Sequence, residues 1–111
     1  MAQAIEKSEW PYFCERMTSA LDSAEAEVEV ASLELGDQIE TEWLPLIGIT
    51  YDPNDDLFDI ALEGIDHLVE HPQQLRVDGP PGALSALEIV DSNGIQHLVK
   101  LRDALMLPRA H

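Results

Sequence analysis

The chain has 111 residues, 45% of them hydrophobic, and its 22 acidic and 6 basic residues give a formal net charge of −16. That length holds one domain with one core, spanning residues 1–111, and leaves no room for several. The charge disfavours nucleic acid and anionic membrane as partners, because their phosphates would be repelled.

No apolar run reaches the length of a membrane span, and the N-terminus lacks the basic-then-apolar build of a signal peptide, so a soluble cytoplasmic protein is expected. The single Cys14 has no partner for an internal disulfide. The charge is unevenly spread. Residues 1–70 hold 18 acids against Lys7 and Arg16, whereas residues 71–111 balance four acids against Arg76, Lys100, Arg102 and Arg109.

Ser8-Glu9-Trp10-Pro11 predicts a helix start, with Ser8 as cap and Pro11 in the first turn where its missing donor is harmless. Trp10, Phe13, Cys14, Met17 and Leu21 then recur at helical spacing and form an apolar stripe for docking on a core. Ala26, Val28 and Val30 alternate with Glu25, Glu27 and Glu29, the pattern of a half-buried strand. The phase then slips, which predicts a β-bulge at Ala31-Ser32. Gly36-Asp37-Gln38 reads as a hairpin loop that sets Leu35 opposite Ile39 and Glu34 opposite Glu40, with Ile39, Thr41 and Trp43 facing inward. Leu44-Pro45 should end that ladder at a corner, because proline cannot donate to it.

Residues 46–62 read as a hairpin. Tyr51 pairs with Phe58, Ile49 with Ile60 and Ile47 with Leu62, around the turn Asp52-Pro53-Asn54-Asp55-Asp56, whose Asx side chains fold back on their own backbone. Residues 57–71 also carry a helical pattern. The alternation of Phe58, Ile60 and Leu62 with Asp59, Ala61 and Glu63, followed by Gly64, favours a strand. Next come a short strand Gln74–Val77, a loop Asp78–Gly82, and two strands around Leu84–Val90 and Ile95–Leu101. Asp91-Ser92-Asn93-Gly94 joins the last two as a type I turn with Gly94 left-handed, which pairs Leu87 with Val99 and Ile89 with His97. The apolar tail Leu105-Met106-Leu107-Pro108 should pack on the domain or a neighbour. The fold class is therefore α+β: an N-terminal helix followed by a strongly bent antiparallel sheet or small open β-barrel of about six or seven strands.

Over nearly its whole length the chain resembles a bacterial family of small conserved proteins known only as a domain of unknown function. The segments that carry the resemblance are Gly36-Asp37-Gln38-Ile39 running into Glu42-Trp43-Leu44-Pro45-Leu46-Ile47-Gly48-Ile49-Thr50-Tyr51-Asp52, Gly64-Ile65-Asp66-His67, His71-Pro72, Leu87-Glu88-Ile89-Val90-Asp91, Leu101-Arg102-Asp103 and Leu105-Met106-Leu107-Pro108. The resemblance implies no activity, substrate, cofactor or catalytic residue.

Three stretches bear on chemistry. His67-Leu68-Val69-Glu70-His71 matches the H-x-x-E-H pattern of inverted zinc peptidases, which needs both imidazoles on one helical face with Glu70 as general base. Pro72 follows at once where such a helix would continue, so the favoured reading is a strand or loop with one His inward. The run from Asp52 to Asp56 lacks the spacing, glycine and closing glutamate of a calcium loop and reads as a turn. Glu27, Glu29, Glu34, Glu40 and Glu42 should share the outer side of adjacent strands, where like charges need relief from salt, a cation or another chain's Lys and Arg. His97 reads as a satisfied core histidine and Cys14 as a small buried residue.

The functional expectation is a small non-enzymatic binding or accessory protein with an acidic sheet face at Glu27, Glu29, Glu40 and Glu42. It would use no cofactor and self-associate as a homodimer or meet a basic protein partner. The alternative is a metal-binding protein or metal-dependent hydrolase using His67, Glu70 and His71.

Overall fold

The computed structural model describes residues 2–20, 24–32, 36–79 and 84–103. Among them, β1 is Ala2–Ile5, α1 Trp10–Ala20, β2 Ala24–Ser32, β3 Gly36–Asp52, β4 Leu57–Leu62, β5 Ile65–Glu70, β6 Pro72–Asp78, β7 Ala86–Asp91 and β8 Gln96–Asp103. The strands form one antiparallel sheet in the order β1-β6-β7-β8-β2-β3-β4-β5, open at β1 and β5. The α+β class is as expected. The eight strands exceed the expected six or seven. β1 is too short to announce itself, β5 is an edge strand with only Val69 buried, and the two strands foreseen on either side of Pro45 are one, β3.

α1 follows a 3-10 turn at Lys7–Glu9 and buries Trp10, Cys14 and Met17, with Phe13 packed against the core. Ser8 does not cap it: it lies inside the 3-10 turn, which Glu6 precedes without any side-chain cap bond. Trp10 instead anchors the entry, its indole N–H donating to the Ile5 carbonyl at 2.8 Å. Its ring meets Tyr51 and Phe58 at centroid distances of 5.1 and 5.2 Å. Such aromatic contacts add about 0.5–1.5 kcal/mol beyond the area they bury.

β3 holds the molecule together. Its first half pairs with β2, and the last of those pairs is Glu25 with Pro45. From Leu46 onward it pairs with β4. The ladder with β2 thus ends at Pro45, as expected, since an imino nitrogen has no hydrogen to offer β2, and the strand runs on with β4 as its new partner. The Pro45 carbonyl accepts from the Glu63 amide at 3.0 Å. Tyr51–Phe58 and Ile49–Ile60 pair as foreseen, but Leu46, not Ile47, faces Leu62. Ile47 is the extra residue of a bulge at the corner and is 65% exposed.

Where β3 has left β2, α1 takes over. Thr18 Oγ1 donates to the Ile49 carbonyl at 3.1 Å and accepts from the Ile49 amide at 3.0 Å. One hydroxyl thereby satisfies both backbone groups on the uncovered side of the strand. Gly48 permits this approach, since a Cβ there would lie 3.3 Å from Thr18 Cγ2.

The β2–β3 register differs from expectation. Ser32 pairs with Gly36, Ala31 with Asp37 and Val30 with Gln38, and the irregularities lie instead around Val28, between its pairs with Ala26 and Glu29 as neighbours. Gly36, at φ +67°, therefore starts β3 rather than sitting in the loop. Ile39 consequently points outward, 53% exposed. The proposed pairs at Leu33, Glu34 and Leu35, the end of the helix stripe at Leu21, and the tail at residues 105–108 lie outside the described residues.

The helical alternative for residues 57–71 is overturned, since both β4 and β5 are extended and paired. At the β7–β8 turn, Leu87 faces Val99 and Ile89 faces His97. Gly94 stands at φ +77° with its amide on the Asp91 carbonyl at 3.0 Å. The core runs the length of the bent sheet through Ala26, Val28, Phe58, Ile60, Ile89 and Val99, all fully buried.

Candidate functional site

The bend in β3 brings the second half of the sheet over the first, so that β5 faces β7 and β8 across the interior. A chain of three polar side chains crosses there. Asp91 Oδ2 lies 3.0 Å from His97 Nε2, and His97 Nδ1 lies 2.9 Å from His67 Nε2. Asp91 is fixed from the turn side, its Oδ1 accepting from the Asn93 and Ile95 amides at 2.9 and 3.1 Å. These bonds to amides and to His97 hold its carboxyl below the usual carboxylate range, against the opposing effect of burial. His97 is 8% exposed and flanked by Ile89 on β7 and Val30 on β2. Burial and the neighbouring His97 hold His67 below the ordinary imidazole range, while the charge of Glu40 pulls the other way.

The H-x-x-E-H segment does not assemble one site. On an extended strand Glu70 falls on the opposite face from His67, and His71 lies beyond the strand's end. His67 turns inward to His97, whereas Glu70 is exposed. His71 leaves the strand with φ +51° and places Nδ1 3.5 Å from Asp56 Oδ2. Among the described residues, no three His, Cys, Asp or Glu side chains cluster in a way that would hold a metal ion. His67 was a candidate for the wrong partner: what it meets is His97, thirty residues on. The signal available in the sequence was the inward position of His97 opposite Ile89 beside the turn aspartate Asp91.

Asp56 gathers a second polar knot. The Tyr51 hydroxyl donates to its Oδ1 at 2.6 Å and Lys7 Nζ lies 3.1 Å from the same atom. The Tyr51 and Lys7 contacts pull the Asp56 carboxyl below its ordinary value, while burial and this partner push the Tyr51 hydroxyl up to about 12. Asp52 Oδ1 accepts the Asn54 amide at 2.9 Å, so these acids shape a turn, as their chemistry indicated. Burial pushes the Cys14 thiol up to about 12, leaving it protonated and inert at neutral pH.

The acidic strands are partly relieved within the chain. β8 lies beside β2 with Glu25 opposite Arg102 and Glu27 opposite Lys100. Arg102 Nε reaches Glu25 Oε1 at 3.0 Å and stacks 4.1 Å over the Trp43 ring. Lys100 Nζ stands 3.8 Å from Glu27 and 3.9 Å from Glu29. The relief expected from another molecule is thus supplied by β8, whose Lys100-x-Arg102 spacing matches the Glu25-x-Glu27 spacing of its neighbour. Glu40 and Glu42, on the outlying half of β3, are exposed, and Glu34 lies outside the described residues. Among the described residues Glu40 stands between the β2-paired Ile39 and Thr41 without a cross-strand partner of its own.

No helix among the described residues is long and apolar enough to cross a membrane. No solved structure matches the chain. An uncharacterized protein of Aquifex aeolicus (strain VF5) is 36% identical over 107 residues, covering 96% of each chain. The model of the family of unknown function DUF5335 matches residues 1–110, and the chain belongs to that family.

Proposed function

We propose that the protein is a small non-enzymatic binding or accessory protein, acting in the cytoplasm, whose acidic strands meet a basic partner protein. The observation that carries this reading is the division of the acidic face. Glu25, Glu27 and Glu29 face Lys100 and Arg102 of their own chain, while Glu40 and Glu42 remain exposed in a molecule of net charge −16. Exposed carboxylates held on a rigid ladder present a fixed potential that steers and orients a cationic surface. A separate basic protein suits this face better than a second copy of the chain, since β8 is already engaged on β2 and like-charged copies repel.

The test is fluorescence anisotropy with a labelled oligolysine peptide at low and moderate salt. The doubly substituted Glu40→Gln, Glu42→Gln protein should bind about 2- to 30-fold more weakly. A charge-matched control, Glu6→Gln with Glu9→Gln at two other exposed acids, should bind as the wild type does. Equal weakening in both variants would reduce the effect to net charge and defeat the assignment.

A further inference from the structure

We propose that His67 and His97 form a proton-operated latch between the two halves of the bent sheet, closed while the pair carries at most one added proton and open when both rings are protonated. The argument starts from hydrogen counting. Two ring nitrogens 2.9 Å apart have room for one hydrogen between them. Asp91 accepts amide hydrogens on Oδ1 and faces His97 Nε2 with Oδ2, so that nitrogen carries the hydrogen. In the neutral pair His97 Nδ1 is then the acceptor and His67 Nε2 the donor. A first added proton enters at His67 Nδ1, and the ring still donates through Nε2, in a bond that charge strengthens. A second proton must occupy His97 Nδ1. Two N–H groups then point at each other, and two cations stand at hydrogen-bond distance in a half-dry interior.

The surroundings are sparse. Among the described residues, Asp91 on β7 meets His97 and the charge of Glu40 on β3 acts on His67. The residues cross-strand from the two rings are Ile60 on β4, Val30 on β2 and Ile89 on β7, none of which titrates. The opening would be felt mainly by β5. Among the described strands it is an edge, hydrogen-bonded to β4 alone, and beyond it the chain passes through His71, whose carbonyl accepts the Ser92 amide at 3.0 Å, into β6. Burial lowers the affinity of His67 for protons relative to the unfolded chain. The closed pair holds at most one added proton, whereas the opened rings each take one near the ordinary imidazole value of 6.5, so the tie is complete above that value and weakens as pH falls below it.

Hydrogen exchange of the Ile65–Glu70 amides, corrected for intrinsic rates, tests the proposal between about pH 8 and pH 5. In the wild type their protection should fall relative to that of β6 and β7, with a slope approaching tenfold per pH unit. His67→Gln places a non-titrating amide where Nε2 stands and can donate to His97 or accept from it. It should keep β5 protected and flatten the slope. A parallel decline of all strands in the wild type, or an unchanged slope in His67→Gln, would overturn the latch. Should that variant not fold, ring 15N titration of the wild type decides. Two separated protonation steps are expected, and simultaneous protonation of both rings in one step would overturn the proposal.

Discussion

Replacing Thr18 by Val probes how the helix is fixed to the sheet. The two side chains have nearly the same shape, so packing is preserved while the hydroxyl is lost. In the native protein that hydroxyl donates to the Ile49 carbonyl and accepts from the Ile49 amide at 3.1 and 3.0 Å. Each bond contributes about 1 kcal/mol net, and an orphaned part-buried backbone group costs at least that much. The loss should come to about 2 kcal/mol, or roughly 8–10 °C in Tm for a domain of this size. Thr18→Ser retains the hydroxyl, gives up only a methyl, and should recover most of the difference. Urea unfolding followed by tryptophan fluorescence is a suitable assay, since Trp10 lies at the start of the same helix. A Val variant within about 0.5 kcal/mol of wild type would show that water replaces the hydroxyl and that α1 is held by its apolar stripe alone.

Further outcomes follow from the same structure. Phe58→Ala should destabilise by about 3–5 kcal/mol in chemical denaturation, because Phe58 is fully buried against Trp10 and Tyr51. Ile47→Thr should leave stability within about 0.5 kcal/mol by the same assay, since the residue is an exposed bulge. Lys100→Met should cost up to about 1 kcal/mol at low ionic strength, with most of it recovered in about 1 M salt; a salt-independent loss would contradict relief of Glu27 and Glu29 by charge. Because Asp56 titrates below its unfolded value, its contribution is present above about pH 4 and lost as pH falls through the native value. Acid unfolding of Asp56→Asn should therefore be shallower below about pH 4 than that of the wild type. Asp59 behaves oppositely. One of its carboxylate oxygens is buried without a hydrogen-bond partner among the described residues, and burial together with Asp66 raises its value. Asp59→Asn should raise the unfolding midpoint at neutral pH.

Much of the fold was legible because strand alternation is a local signal. Tyr51–Phe58, Ile49–Ile60, Leu87–Val99 and Ile89–His97 could each be placed from a turn and a period of two. Failures arose where geometry depends on something distant. Alternation alone sets Ile47 inward, because nothing local reveals that β3 changes partners at Pro45 and needs an extra residue there. The sequence does not separate loop from strand at Gly36, because glycine suits a left-handed position whether it lies inside a turn or at its exit. β5 went unread because an edge strand buries one residue and so lacks a second apolar position to set a rhythm. The same limit governed the sites. His67 drew notice through its neighbours Glu70 and His71, but the contact that matters crosses from β5 to β8. The glutamates of β2 looked uncompensated because their cations, Lys100 and Arg102, come some seventy-five positions later.

The strand order also constrains how this protein is made. β1 lies against β6, and β2 completes its pairing only when β8 arrives. A nascent chain therefore holds β1 without its partner until translation has passed Asp78, and one edge of β2 open until it has passed Asp103. The neighbouring hairpins can form early, but closing the sheet waits on the two remote pairings, β1 with β6 and β2 with β8, which are the slow ones, and a ribosome stalled before β8 would hold out the open edge of β2 to whatever chaperone is nearest.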